Sequence, residues 1–193
     1  MVEPLSVSAN AFMQNLLPWI DADADRPGAR RLNAMRVVSI RHITGSPAAQ
    51  LALSQSGFAW PERSTDLVSA DGLLATRRHA GEIIVVGDDA AALQKILHEL
   101  APGVDLEVMA IEMTHGTGVI ELHGPRLDEW LAHLVDHSAI PAEGRASRCR
   151  LVDVPVLLVR PEADRIRLVA DRSLFPYLAQ WLAFSHEGAF SDL

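Results

Sequence analysis

The sequence predicts an α+β fold: antiparallel-rich sheets with packed helices. Three observations lead there. Runs rich in β-branched residues, Met35–Ile43 (MRVVSIRHI) and Glu82–Val86 (EIIVV), read as strands. Ala90–Leu100 and Leu127–Val135 carry apolar residues at helical spacing. Strands and helices are mixed without the regular strand–helix–strand alternation of a parallel sheet. The chain has 193 residues, 49% of them hydrophobic, enough for a real core in one compact domain or two fused halves.

The first 30 residues read as an arm with one apolar anchor, Leu16, Leu17, Trp19 and Ile20, interrupted by Pro18. After the Met35–Ile43 strand, Gly45-Ser46-Pro47 is a stop and Ala48–Ser54 a short helix. Gly57–Pro61 is a loop carrying Phe58 and Trp60. Leu73–Thr76 and Glu82–Val86 pair across a turn at Arg77–Gly81. Gly87-Asp88-Asp89 then supplies a helix N-cap. The helix that follows puts Leu93, Ile96, Leu97 and Leu100 on one face, and Pro102-Gly103 ends it.

In the second half Leu106–Met113 is a strand, His115–Gly118 a turn, and Val119–Leu122 a strand. Gly124-Pro125 opens a helix whose Leu127, Trp130, Leu131, Leu134 and Val135 recur at i, i+3, i+4, i+7, i+8. Pro141–Gly144 is a loop, Arg148–Val152 and Pro155–Arg160 are strands, and Pro161–Asp164 is a turn. Arg165–Val169 alternates and is a further strand. Ser173 caps a last helix with Leu174, Tyr177, Leu178, Trp181 and Leu182 as its buried stripe. The boundaries are an arm over 1–30, an α+β half over 31–103, a second over 104–185 and a flexible tail over 186–193. One sheet with helices on one side is the expected arrangement.

Composition excludes several classes. A net charge of -8 argues against binding nucleic acid or an anionic membrane surface. Cys149 is the single cysteine, so no internal disulfide or cysteine-based metal site can form. The N-terminus lacks a signal-peptide pattern, and no apolar run approaches the roughly 20 residues of a membrane helix. The expected compartment is the cytoplasm.

No constellation of residues carries chemistry. Asp21, Asp23 and Asp25 open like an EF-hand loop, but its sixth and twelfth positions hold Arg26 and Leu32. His133 and His137, with Asp136 between them, have helical metal spacing but no third ligand. His115-Gly116-Thr117-Gly118 lies between strands, whereas a phosphate cradle needs a strand-to-helix junction. Cys149, flanked by Arg148 and Arg150, sits in a strand and reads as structural. Catalytic, cofactor-binding and metal residues are therefore all expected to be absent. Arg77, Arg78 and His79 form the densest basic spot. They suit either an exposed turn or a contact with a carboxylate, a folate glutamate tail or an acidic partner patch. Trp19 and Trp60 are either interface anchors or core residues.

One stretch, Gly118–Arg160, carries a resemblance. A strand ends in Gly124-Pro125, and a helix follows over Leu127–Val135. Pro141 and Gly144 then mark a loop, Leu151-Val152 a strand, and Val154-Pro155-Val156-Leu157-Leu158 a second strand. This pattern and the closing run Asp171–Leu182 (DRSLFPYLAQWL) resemble the gamma-subunit family of heterotetrameric sarcosine oxidase. The folate-binding domain of aminomethyltransferases shares that architecture. In the first half only Glu82-Ile83-Ile84 keeps the shape of the family's W-x-G-P-D-E-W-L-L strand. The resemblance implies a non-catalytic gamma-type subunit that packs on a large alpha subunit, beside beta and delta subunits. The assembly would demethylate sarcosine or a related N-methyl amino acid oxidatively, linked to tetrahydrofolate. FAD, FMN, NAD and tetrahydrofolate would belong to partner subunits, with zinc on delta. The alternative is a stand-alone folate-binding or aminomethyltransferase-like protein. Trp19, Trp60, Arg77 and Arg78 are the expected partner contacts.

Overall fold

The computed structural model describes residues 20–44, 46–101 and 106–190. Ten strands among them form two antiparallel five-stranded sheets. Sheet A runs β1 (Gly28–Arg31), β7 (Thr117–His123), β10 (Arg165–Asp171), β9 (Val154–Glu162), β8 (Arg145–Leu151). Sheet B runs β3 (Leu67–Ala70), β4 (Leu73–His79), β5 (Glu82–Gly87), β2 (Arg36–His42), β6 (Val108–Glu112). The α-helices are α1 (Pro47–Gln55), α2 (Ala90–Glu99), α3 (Leu127–Leu131) and α4 (Phe175–Phe190).

Alternation along the strands builds the layers. In β5, Ile83 and Val85 join Ala49, Leu53, Leu93 and Ile96 in a core under α1 and α2. The intervening Ile84 and Val86 join Val119, Leu157, Val159 and Val169 of sheet A. In β9, Val156 and Leu158 meet Trp130 and Leu178 beneath α3 and α4. The order is helices, sheet B, sheet A, helices. This corrects the expectation of one sheet covered on one side. Apolar side chains on both faces of a strand need cover on both.

Pairing cuts across the boundaries expected at 30 and 103. β1 straddles the boundary at 30 and pairs with β7, Ala29 opposite Leu122. β6 falls after position 103 but pairs with β2, Ala110 opposite Ile40. Ladder register, not chain order, assigns a strand to its sheet. Trp19, Gly45 and the Pro102-Gly103 stop lie outside the described residues.

The helix expected over Leu127–Val135 is α-helical only to Leu131. Leu134 and Val135 remain buried, but Leu134 O accepts from Val152 N at 2.9 Å, so the chain turns to meet the β8–β9 hairpin. In that hairpin the β-branched Val152 sits at φ 55°, a conformation such residues rarely adopt. Before α4 the cap is Asp171, not Ser173. Its Oδ1 accepts from Ser173 N and Oγ, both at 2.8 Å, and starts a 3-10 turn over Arg172–Leu174.

The buried stripe of α4 is also displaced. It comprises Phe175, Leu178, Ala179, Leu182, Ser185 and Phe190. Phe175 fits this phase by packing against Gly118, where a Cβ would come within 2.8 Å of the ring. The Trp130 indole N–H donates to Ser185 Oγ at 2.9 Å and secures the other end. Residues 186–190, expected to be a loose tail, belong to the helix, and Phe190 is buried against His186 and Arg126.

Candidate functional site at the mouth of the inter-sheet cleft

The expected turn at Arg77–Gly81 is mostly strand, because β4 continues to His79. Its register with β5 shifts near its end: Arg77 faces Ile83, then His79 faces Glu82. Arg78 is the extra residue of a β-bulge, a device that re-aims side chains. It divides the basic spot. Arg77 goes to the helix side, with its guanidinium 5.3 Å from the Trp60 ring centroid and Nη1 donating to Glu62 O at 2.8 Å. Trp60 in turn packs edge-on against His42 at 5.3 Å. Trp60 and Arg77 thus engage their own fold. Arg78 and His79 go to the inner face.

There they meet Glu82, which is only 3% exposed. Its Oε1 accepts from Ser39 Oγ at 2.6 Å and lies 3.8 Å from Arg41 Nε. Its Oε2 lies 3.0 Å from His79 Nε2 and 3.6 Å from Arg78 Nη1. A buried carboxylate needs such partners. The tight turn depends on Gly81, where a Cβ would come within 2.9 Å of His42 O.

Beyond Arg78 the two sheets part into a cleft of about 320 Å³. Val37, Ile84, Met113, Leu157 and Val169 form its walls, and Arg78, Arg148, Thr117 and Asp171 stand among its lining residues. Arg148 projects from β8 between two held neighbours. Arg145 donates to Asp66 at 2.6 Å, and Arg150 donates to Asp153 O at 2.6 Å. Among the described residues the Arg148 side chain has no hydrogen bond or ion pair. The Asp171 carboxyl is held below its ordinary value by the Ser173 hydroxyl and N–H.

The other sequence candidates are scattered. Asp23 Oδ1 accepts from the N–H groups of Asp25 and Arg26, which lower its pKa and make the acidic run a local turn. His133 follows α3 and is exposed, while His137 starts a separate 3-10 turn capped by Asp136, so the two share no helix. His115-Gly116 is a turn and Thr117-Gly118 already belongs to β7. Cys149 is half-buried on β8, and burial pushes its thiol up to about 11. Among the described residues no group of three or more His, Cys, Asp or Glu is placed to hold a metal ion. None of their helices is long and apolar enough to cross a membrane.

One surface escaped the sequence reading. Tyr177, Trp181 and Phe184 form an edge-on aromatic ladder along the outer side of α4, with centroids 6.3 and 5.8 Å apart. Phe184 is 69% exposed and Tyr177 38%. The signal was present, since α4 is apolar on both sides and the sequence supports two competing stripes.

No family model and no curated protein matches the sequence. Solved structures do match the fold. A chain of heterotetrameric sarcosine oxidase from Corynebacterium sp. U-96, in complex with pyrrole 2-carboxylate, has TM-score 0.75 and 16% identity. The match covers 97% of this chain and 96% of that one. Glycine cleavage system aminomethyltransferase T from Bartonella henselae has TM-score 0.58 and 14% identity, over 93% of this chain and 55% of that one. The molecule therefore has an α+β fold shared with a chain of heterotetrameric sarcosine oxidase and with part of an aminomethyltransferase.

Proposed function

We propose that this chain is a non-catalytic, gamma-type subunit of a sarcosine-oxidase-like assembly and packs on a larger alpha subunit. One observation carries the reading: the fold matches a chain of a heterotetrameric oxidase from end to end, at nearly equal length. The exposed Tyr177 and Phe184, joined through the half-buried Trp181, support it, because exposed aromatics are favoured anchors at interfaces. In this reading the assembly works in the cytoplasm beside beta and delta subunits. It demethylates sarcosine or a related N-methyl amino acid, and FAD, FMN, NAD and tetrahydrofolate are carried by partner chains.

Affinity purification of the tagged chain from its native cell tests the reading. The expected result is co-elution of a large flavin-containing chain and sarcosine-dependent oxidation by the eluate. Recovery of the chain alone overturns it. The aminomethyltransferase match favours a second reading, a stand-alone folate-binding protein. Calorimetric titration of the isolated chain with tetrahydrofolate separates the two, since heat of binding is expected only in the second.

A further inference from the structure

We propose that the inter-sheet cleft is a binding site for a small amphipathic carboxylate, held by Arg148 and Arg78 over an apolar floor. The inference is independent of the subunit reading, because it rests on this chain's own residues.

Size comes first. A volume of about 320 Å³ falls at the lower end of small-molecule cavities, about 300–1,000 Å³. It suits a small molecule and is too confined for a folded segment. The lining sets the chemistry. Val37, Ile84, Leu157 and Val169 offer an apolar body a place out of water, and Met113 can adjust to its shape.

Charge selects the head group. The whole chain carries -8, yet this cleft has two arginines among its lining residues. The Arg148 side chain has no polar partner among the described residues. Arg78 reaches Glu82 only at 3.6 Å, and that carboxylate already has its shorter contacts with Ser39 and His79. Glu82 thus orients Arg78 and leaves donors unspent. The remaining lining charge is Asp171, whose Oδ1 is occupied by Ser173. Guanidinium groups hold carboxylates through directional, charge-assisted hydrogen bonds. Residues far apart in sequence make this pair: β4 supplies Arg78 and β8 supplies Arg148.

The test titrates the full-length chain with 3-phenylpropionate and follows the backbone amides by nuclear magnetic resonance. Neutral 3-phenylpropanol and acetate serve as comparisons. The expected result is saturable shifts at Thr117, Leu157 and Val169. The alcohol should bind roughly ten-fold more weakly, the loss of one charge-assisted hydrogen bond, and acetate more weakly still. Arg148→Gln, an exposed change on a strand, should remove the preference for the acid over the alcohol. Shifts elsewhere, no saturable shifts, or equal affinity for acid and alcohol would overturn the proposal. Unchanged preference in both Arg148→Gln and Arg78→Gln would also overturn the assigned roles.

Discussion

Each sheet buries one glutamate, and the two are held differently. Glu121 of sheet A is gripped by Arg30, whose Nε and Nη2 donate to Oε1 at 3.0 and 2.6 Å, with Arg167 Nε 3.6 Å from Oε2. Glu82 of sheet B has its shortest contacts with Ser39 and His79 and keeps its arginines at 3.6 and 3.8 Å. At Glu121 one arginine is spent on the carboxylate in a fork. At Glu82 the Ser39 hydroxyl donates the short hydrogen bond and the His79 imidazole stands at 3.0 Å, which leaves Arg78 at 3.6 Å to line the cleft. Similar burial, 2% against 3%, therefore serves closure in one sheet and orientation in the other.

This contrast can be broken by substitution. Glu121→Ala should have the largest effect. It leaves Arg167, with 16% of its side chain exposed, facing an uncompensated site. A loss of about 3 kcal/mol in urea unfolding is expected. Glu82→Gln retains an acceptor for Ser39 and should cost less, about 1–2 kcal/mol, while altering the response of Arg78 to a carboxylate probe. A double-mutant cycle compares the cations directly. Arg30→Ala should couple to Glu121→Ala by up to about 1 kcal/mol, since Arg30 is half exposed. Arg78→Ala should couple to Glu82→Gln by less, and the reverse order would refute the division of roles.

The smallest effect concerns the cleft mouth. Asp171 has a folded-state pKa below its ordinary value of 3.8, because it accepts from Ser173. It contributes stability at neutral pH, and this is lost as pH falls below that value. Asp171→Asn should therefore flatten the acid limb of a stability–pH curve below about pH 4. An unchanged limb would show that the cap contributes nothing.

Much of the fold was legible. The strand at Met35–Ile43, the β4–β5 hairpin and the capped helix after Asp89 all follow from local pattern and cap chemistry. Asp89 Oδ1 indeed accepts from the N–H groups of Ala91 and Ala92. The phase of α4 was not legible, because Tyr177, Trp181 and Phe184 are as apolar as the residues that are buried. The site was legible only in half. Arg78 stood out within its basic triplet, but nothing local marks Arg148 as its partner or Arg77 as spoken for by Trp60.

Composition, periodicity and turn chemistry suffice for the class of fold and for most of its elements, since these depend on interactions a few residues long. Which strand joins which sheet, which side of α4 meets the core, and which arginines share a cleft depend on pairing register and a bulge at Arg78. Those contacts join residues far apart in the chain, so they exist only once the two sheets are stacked.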